Sequence, residues 1–257
     1  MTGVIGIIPA AGLGSRVPNL PCSKEVFPIG FRAGADGEQY PKPVGAYVID
    51  QMVQAGVERV FIVIRKGKWD IPQCLGDGSD FGAHFSYLIQ ERMVGLPGAL
   101  DLVYPWVHDE ITLFGMPDTI ISPTDALRQV VDAHSTHGAD VTLGLFPTDA
   151  PEKFGMVDFD DRGRFVATVD KPKQCSLRYM WGLACWGPAF TAYLHSYMLR
   201  SASCGREIVL SEVLQSAHDQ GMFLRVVPFA NGHYLDVGTP SDLAGAVRLM
   251  SSQTPSP

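Results

Sequence analysis

The sequence predicts an α/β protein built on a doubly wound, mostly parallel sheet, and three observations lead to this fold class. Short apolar runs such as 4–9 and 59–65 have the near-continuous hydrophobicity of strands that are buried on both faces. Segments with helical spacing of apolar residues, such as 43–55, alternate with these runs. The connections between them are short, which is typical of repeated β-α-β units. Ligands of such sheets bind beyond the carboxyl ends of the strands, so we expect functional residues there.

The elements of the first half can be placed in order. Strands are predicted over 4–9, 59–65, 83–89, 111–116 and 141–146. Helices are predicted over 43–55, 97–107 and 123–137. Gly56 follows the first helix as a C-cap, and Ser122 precedes the third as an N-cap. The glycine-rich stretch 30–41 is expected to be a long surface loop or the tip of a hairpin.

The second half differs because it begins with an antiparallel pattern. Residues 154–169 predict a hairpin with its turn at 161–164, where Gly163 can take a positive φ. Further strands are predicted over 179–186 and 223–228, and helices over 188–199, over 209–219 and from Pro240. The polar residues 251–257 are expected to be a flexible tail.

Composition and charge narrow the class of function. The chain has 257 residues, of which 46% are apolar and 18% charged, enough for a sizeable core. Its 27 acidic and 20 basic residues give a net charge of −7, which argues against broad nucleic-acid binding. We expect neither a membrane span nor a signal peptide, since no apolar run is long enough and the N-terminus has no basic region. The five cysteines lack metal-ligand spacing, so we expect reduced thiols in a cytoplasmic protein.

A turn of small residues, followed by two bases, comes directly after the first strand. Residues 9–16 have the sequence PAAGLGSR. The small side chains, at Ala10, Ala11, Gly12 and Gly14, let backbone N–H groups approach a phosphate. The guanidinium of Arg16 and the ammonium of Lys24 suit a triphosphate, although a plain tight turn and two solvated bases explain the same pattern. The spacing fits neither the dinucleotide-binding fingerprint nor the P-loop.

Residues 7–29 resemble the N-terminal signature of the sugar-1-phosphate nucleotidylyltransferases. That signature is a strand, a small-residue turn ending in Arg, and a Lys-(Glu/Gln) segment that leads to Pro. The stretch IIPAAGLGSR is most similar to that of the UTP–glucose-1-phosphate uridylyltransferases, although the spacer before Lys24 is shorter. The resemblance implies a Rossmann-like fold of the nucleotide-diphospho-sugar transferase type with an inserted hairpin and sugar-binding subregion. It assigns Arg16, Lys24 and, further along, Lys171 to catalysis.

A second matching segment concerns the base. Gln90 and Gly95 stand in a stretch that is similar to one of the glucose-1-phosphate thymidylyltransferases. There the Gln hydrogen-bonds the pyrimidine edge, and the Gly lets the base approach the backbone. The resemblance favours dTTP or UTP, while guanine and cytosine stay open. Taken alone, Gln90 is an ordinary polar residue at the end of a strand.

Two aspartates match the metal-binding motifs of the same family. Asp118 follows a central strand in the stretch FGMPDT, and Asp236 stands in YLDVGT before the last helix. The resemblance implies that both hold Mg²⁺, whose preferred ligands are oxygens. Each residue could equally be a cap or a turn residue, because sequence alone cannot pair two carboxylates so far apart.

The sugar side of the resemblance lies in the second half of the chain. It implies that Gly155 and Asp170 contact the sugar and that Lys171 holds its phosphate. Trp181 and Gly182 occupy the strand that lines the sugar pocket. Asp170 replaces the usual Glu and Trp181 is bulky, which indicates a sugar other than plain glucose. Core packing is the alternative for Trp181.

Taken together, the motifs predict one nucleotidyltransferase domain over 1–250, with a nucleotide-binding half at 1–150 and a sugar-phosphate-binding half at 151–250. We expect it to join a nucleoside triphosphate to a sugar 1-phosphate with Mg²⁺, and to lack the C-terminal extension of longer members. A homo-oligomer is possible, since family members assemble as dimers or tetramers. Two alternatives stay open: a catalytically silent nucleotide-sugar-binding subunit, and a metal-dependent glycosyltransferase that would use the D-x-D pattern at 158–160.

Overall fold

The computed structural model describes residues 3–14, 16–17, 19–34, 36–202 and 206–251 of the chain. Its strands are β1 (Val4–Pro9), β2 (Pro28–Ala33), β3 (Gln39–Pro43), β4 (Arg59–Ile64), β5 (His84–Ile89), β6 (Ile111–Gly115), β7 (Thr119–Ser122), β8 (Val141–Pro147), β9 (Gly155–Phe159), β10 (Phe165–Asp170), β11 (Tyr179–Trp186), β12 (Leu224–Pro228) and β13 (His233–Asp236). Its α-helices are α1 (Val44–Gln54), α2 (Asp70–Leu75), α3 (Leu96–Asp101), α4 (Tyr104–Val107), α5 (Ala126–His137), α6 (Pro188–Ser201), α7 (Leu210–Asp219) and α8 (Pro240–Ser251). Short 3-10 turns cover Lys24–Val26, Ser79–Phe81 and Pro151–Lys153.

Within the described ranges, nine strands form one central sheet, and its main path has the order β10-β9-β11-β6-β1-β4-β5. The strands from β6 to β5 run parallel. β11 is antiparallel to β6, and β9 and β10 form the hairpin that the sequence predicts. β8 pairs with both β11 and β12. The predicted α/β class is confirmed, and because β11 pairs with β6 one sheet passes through both halves of the chain.

The sheet is covered by helices on both faces, as the apolar character of β1 predicts. Successive side chains of a strand point to opposite faces. Ile5 and Ile7 belong to a buried cluster that includes Phe190 of α6. Ile8 belongs to a second buried cluster that includes Val48 of α1. Both faces of β1 are therefore buried. A ligand can reach this strand only at its end, which is where the carboxyl-end crevice of such sheets lies.

The helix predicted over 97–107 is two helices, α3 and α4. The interruption lies just before Pro105, which has no N–H to donate and whose ring clashes with the carbonyl one turn earlier. At the break the Val103 N–H donates to the Leu100 carbonyl, a tighter bond than that of an α-helix.

The helix predicted over 123–137 begins later, at Ala126, and Ser122 is not its N-cap. Ser122 is instead the last residue of β7, where it pairs with His233 of β13. Because α5 begins at Ala126, the N-cap position is that of Asp125, and the prediction of a cap at Ser122 is wrong.

Two short antiparallel pairs lie outside the central sheet. β2 and β3 form a hairpin across the stretch 30–41, which realises one of the two expectations for that stretch. β7 pairs with β13, and the sequence predicted neither strand. This second pair matters for the site, because Asp118 directly precedes β7 and Asp236 ends β13.

Some predictions fall on positions outside the described ranges. These are Ser15 of the small-residue turn, Cys204, and residues 252–257 of the predicted tail. The other four cysteines, Cys22, Cys74, Cys175 and Cys185, are free thiols. No helix in the part of the chain that the structure describes combines the length and the apolar character needed to cross a lipid bilayer.

Candidate active site

A crevice of about 400 Å³ opens where β1 and β6 end, at the edge of the sheet where a doubly wound fold binds ligands. Its walls come from the loops that follow these strands, from β10 and β11, from the segment before α7 and from the end of β13. Many of the predicted site residues line it: Gly12, Gly14, Arg16, Lys24, Asp118, Gly155, Asp170, Lys171, Trp181 and Asp236. The fold therefore brings residues from both ends of the chain into one space.

Three other predicted residues, Ala10, Ala11 and Gly182, do not line the crevice but lie next to residues that do. Ala10 and Ala11 are buried at the end of β1, where the Ala10 N–H donates to the Val63 carbonyl at 2.7 Å. A Cβ on Gly182 would lie 2.3 Å from the ring of Tyr234, so this glycine makes room for a tyrosine that lines the crevice. Ala10, Ala11 and Gly182 thus support the wall instead of forming it.

The small-residue turn contains a glycine in the left-handed conformation at the wall of the crevice. Gly14 has a φ of +65°, which L side chains rarely adopt. Gly238, two residues after the end of β13, lies opposite the turn: a Cβ there would lie 2.9 Å from Arg16 Nη2 and 2.6 Å from Asp236 Oδ2. The missing side chain at Gly238 lets the guanidinium and the carboxylate lie close together.

Asp118 and Asp236 lie beside each other because β7 and β13 pair. Asp236 is opposite Thr119 in the ladder, and the Val237 N–H donates to the Asp118 carbonyl at 2.9 Å. Asp118 is only 3% exposed. Lys24 donates a hydrogen bond to Asp118 Oδ2, while Oδ1 is buried without a hydrogen-bond partner among the described residues.

Burial and the neighbouring charges both shift the pKa values at this end of the crevice. Burial raises the pKa of Asp236, the neighbouring Asp118 adds to the effect, and the result is about 6 despite the opposing cations Lys24 and Arg16. For Lys24, burial alone would lower the pKa, but the Asp118 carboxylate reverses the direction and the pKa is raised. We call Arg16, Lys24, Asp118 and Asp236 the charged end of the crevice.

Sequence reasoning missed a buried ion pair that supports this end. Lys68 Nζ lies 2.7 Å from Glu25 Oε1 and donates to the Ala10 carbonyl at 2.8 Å. Lys68 and Glu25 are 6% and 2% exposed. Burial raises the pKa of the Glu25 carboxyl, and the Lys68 charge opposes that shift. The pair connects the turn that carries Lys24 to the end of β1. The one sequence feature that could have indicated it is the position of Lys68, a charged residue soon after the buried strand β4.

The other end of the crevice is lined by an indole and a carboxylate, and both contact the hydroxyl of Ser211, which does not itself line the crevice. The Trp181 indole Nε1 donates to Ser211 Oγ at 3.2 Å, and Ser211 Oγ lies 3.5 Å from Asp170 Oδ1. A Cβ on Gly155 would lie only 2.2 Å from Trp181 Nε1. We call Gly155, Asp170, Trp181 and Ser211 the aromatic end. Trp181 also packs on Phe114 at 6.0 Å between ring centroids, so the core and the crevice share its side chain.

Two lysines lie beside the aromatic end. Lys171, exposed and directly after β10, has a φ of +45°, and its N–H donates to the Phe154 carbonyl at 2.9 Å. Lys153 also lines the crevice, although no motif predicted it, and it forms an ion pair with Asp242 of α8 at 3.2 Å.

The segment predicted to contact a base lies next to the crevice and does not line it. Gln90 is buried, and its Nε2 has no hydrogen-bond partner within the described ranges. Gly95 has a φ of +92°, and a Cβ there would lie 2.2 Å from the Ile208 carbonyl oxygen. Glu207, which no motif predicted, lines the crevice beside this contact.

The comparison with protein families decides what this arrangement belongs to. The model of the family described as Nucleotidyl transferase matches residues 5–253. The chain belongs to the nucleotidyl transferase family. The sequence resemblance to the sugar-1-phosphate nucleotidylyltransferases is confirmed by this match and by curated relatives with such names.

Two curated relatives and one solved structure illustrate the similarity. The low-salt glycan biosynthesis nucleotidyltransferase Agl11 of Haloferax volcanii is 24% identical over 251 residues, and a glucose-1-phosphate thymidylyltransferase of Neisseria meningitidis is 30% identical over 175 residues. These alignments cover 95% and 66% of this chain, and they span 65% and 56% of the two relatives. A Bacillus anthracis structure, described as a glucose-1-phosphate thymidylyltransferase in complex with sucrose, superposes with a TM-score of 0.84 at 22% identity. It covers 99% of this chain and 98% of that chain, which confirms the fold.

Proposed function

We propose that this chain is an enzyme that joins a nucleoside triphosphate to a sugar 1-phosphate and releases pyrophosphate. An oxygen of the sugar phosphate forms a bond to the α-phosphorus. The bond from the α-phosphorus to the oxygen that bridges the β-phosphorus breaks, and pyrophosphate leaves with that electron pair. The observation that carries the proposal is the meeting of Arg16, Lys24, Lys171, the buried Asp118 and the half-buried Asp236 in one crevice.

The roles of the bases follow from the charges of the reactants. Both substrates are anions, so they repel each other unless cations lie between them. Arg16 binds the triphosphate and the departing pyrophosphate, Lys24 binds the phosphates, and Lys171 binds the sugar phosphate. The attacking oxygen is already ionised and needs no general base, so positioning and charge stabilisation supply the catalysis.

Mg²⁺ is part of the proposal because the donor set fits it. Asp118, just before β7, and Asp236, at the end of the neighbouring β13, offer carboxylate oxygens, and Asp118 Oδ1 is buried without a hydrogen-bond partner among the described residues. The described residues contain no cluster of three protein ligands, which suits an ion that keeps water and substrate phosphates in its shell. When bound, the ion supplies neutralisation of charge on the phosphate oxygens.

The base and the sugar are proposed from the residues at each position. Gln90 Nε2, buried without a hydrogen-bond partner among the described residues, can bond a pyrimidine edge, so we favour dTTP or UTP. The missing side chain of Gly95 makes room for the Ile208 carbonyl, which holds this segment against the one before α7. For the sugar, the indole of Trp181 fills the space next to Gly155, which restricts the size of the ring that the aromatic end accepts.

The two alternative functions receive less support from the site. Asp158 is exposed, and Asp160 accepts hydrogen bonds from the N–H groups of Arg162 and Arg164 within its own turn, so this pair lies outside the crevice. A metal-dependent glycosyltransferase would need its acidic pair beside the nucleotide. A silent binding subunit would not need both carboxylates and all three bases.

The decisive experiment is a matrix of nucleoside triphosphates against sugar 1-phosphates with Mg²⁺, followed by release of pyrophosphate. We expect release only when both substrates are present, with dTTP or UTP the best donor. A separate reaction with a nucleotide-sugar and a sugar acceptor tests the glycosyltransferase, which would release a nucleoside diphosphate and no pyrophosphate. Tight binding in calorimetry without turnover would identify a binding subunit.

A further inference from the structure

A second cavity, of about 350 Å³, adjoins the crevice on the side of the small-residue turn. Leu13, Gly14 and Lys24 line both spaces. The far wall of the cavity is the connection between β4 and α2, which contributes Arg65 and Lys68. No residue of the aromatic end lines it.

The charges that line this cavity are all positive in the described part of the chain. Three bases, Lys24, Arg65 and Lys68, contribute to its wall, and no carboxylate does. Lys24 is paired with Asp118, and Lys68 is paired with Glu25. Arg65 forms no ion pair with a described residue, and its Nε is buried without a hydrogen-bond partner. One guanidinium is therefore left to bind an anion.

The chemistry of the reaction indicates which anion. A guanidinium offers a planar set of donors that matches phosphate oxygens. In an in-line transfer the leaving group departs opposite to the attacking oxygen. The sugar phosphate is assigned to Lys171, beside the aromatic end, so the leaving group departs toward the other wall. The turn and the cavity with Arg65 form part of that wall.

We propose that the cavity is a pyrophosphate subsite in which Arg65 binds the group that leaves the α-phosphorus. The assignment rests on the proposed function for the identity of the anion. Lys68 positions the turn through Glu25 and the Ala10 carbonyl, so Arg65 is the residue whose donors are available to the ligand.

The test measures binding of inorganic pyrophosphate by calorimetry to the full chain and to Arg65→Ala. We expect Arg65→Ala to weaken this binding by at least about tenfold, the scale of losing a charge-assisted contact to phosphate. The matched control is Arg59→Ala, at the opposite end of β4, where the side chain is exposed and paired with Glu110. Lys66→Ala controls for local charge, since Lys66 is exposed and neighbours Arg65. Both controls should bind pyrophosphate within twofold of the unchanged protein.

Two further arms identify the source of the ligand. Calorimetry with a nucleoside triphosphate shows whether Arg65 already contacts the terminal phosphates. If Arg65→Ala loses equal affinity for triphosphate and pyrophosphate, the β- and γ-phosphates bind in the cavity before the reaction. If it loses affinity for pyrophosphate alone, the cavity binds only the free product. Arg65→Lys should recover part of the affinity. In the unchanged chain, pyrophosphate should slow hydrogen exchange at 65–68, a readout that does not depend on the folding of a variant.

The proposal is overturned if Arg65→Ala binds pyrophosphate as the unchanged chain does, or if Arg59→Ala loses as much affinity. These results are separate from the proposed function. An active enzyme with an unaltered pyrophosphate affinity in Arg65→Ala would reject only the subsite. Arg65-dependent pyrophosphate binding in a chain with no turnover in the substrate matrix would reject only the proposed function.

Discussion

The charged end and the aromatic end of the crevice are built on different physical principles. At the charged end, cations and carboxylates from distant parts of the chain are held together, and Asp236 has a pKa of about 6 because of burial and the neighbouring Asp118. At the aromatic end, Trp181, Ser211 and Asp170 form a chain of contacts at 3.2 and 3.5 Å. The first end is therefore organised by charge, and the second by shape and hydrogen bonding.

The comparison indicates that stability and function conflict at the charged end and agree at the aromatic end. A buried carboxylate whose pKa is raised lowers the stability of the folded chain at neutral pH. A partly buried indole with a hydrogen-bond partner contributes to stability as well as to the shape of the pocket. We expect neutralising Asp236 at the charged end to lower activity while raising stability, and changes at the aromatic end to alter substrate preference.

The largest effect is expected for Asp118→Ala. Loss of this carboxylate removes a proposed Mg²⁺ ligand and the partner of Lys24, so turnover should fall at least about 100-fold, or about 2.7 kcal/mol in the barrier. Pyrophosphate release with saturating substrates and Mg²⁺ measures it. The matched control is Asp158→Ala, an exposed acid of the β9–β10 hairpin, which should retain normal turnover. Near-normal release by Asp118→Ala would contradict the metal role, and an equal loss in Asp158→Ala would show that the effect is not specific to the crevice.

The next effect is on stability and concerns Asp236→Asn. In the folded chain the pKa of Asp236 is about 6, against an ordinary value of 3.8, so ionising it costs about 2 to 3 kcal/mol above pH 6. Without metal, Asp236→Asn should raise the free energy of unfolding by about 2 kcal/mol at pH 8. The gain should shrink between pH 6 and pH 4 and disappear below pH 4, where the carboxyl is protonated in both states. Urea unfolding at several pH values with a chelator measures it.

The sign of that effect reverses when the metal is present. Mg²⁺ binds only the folded chain with its carboxylates ionised, so it should stabilise the unchanged protein and not Asp236→Asn. Asp158→Asn serves as the control because an exposed carboxyl should change the unfolding free energy little at any of these pH values. A gain in Asp236→Asn that is independent of pH would show that charge burial is not its cause.

The sequence predicts much of the fold because burial leaves a local pattern. The run 4–9 and the interior of 59–65 are apolar, and the two segments form β1 and β4 within a residue of the predicted ends. β7 and β13 leave no such pattern, since each has only four residues and half of β13 is polar. Their pairing depends on the packing of segments far apart in sequence, and periodicity cannot reveal it.

The site divides in the same way. Motif resemblance found Asp118 and Asp236 individually, but only the pairing of β7 with β13 places them side by side. Lys68 and Glu25 belong to no sequence motif that would predict their ion pair. Arg65 is singled out only by the cavity that it lines, which the sequence does not predict. Residues that contact ligand can be recognised from local motifs, whereas residues that position them are recognised from tertiary contacts.

A smaller effect, on substrate preference, is expected for Trp181→Ala. The indole fills the space beside Gly155, so its removal enlarges the aromatic end and leaves Ser211 without that donor. We expect about a tenfold lower kcat/KM for the best sugar 1-phosphate, mainly through KM, and acceptance of bulkier sugars. Trp106→Ala is the control, because Trp106 is exposed on α4 and does not line the crevice. An unchanged substrate range in Trp181→Ala would assign the indole to core packing alone.

The smallest effect is expected for Asp170→Glu, which restores the acid usual in the resembled family. The Ser211 hydroxyl lies 3.5 Å from Asp170, too far for a strong hydrogen bond, so little protein contact is lost when the carboxylate advances by one methylene. We expect about a threefold change in KM for glucose 1-phosphate with kcat unaltered, measured against the exposed control Asp161→Glu. If the indole and the short acid define one pocket, the double change with Trp181→Ala should deviate from additivity, because the two side chains share Ser211 as a partner. Strict additivity would mean that Asp170 and Trp181 select the sugar independently, and the aromatic end would then be two contacts instead of one pocket.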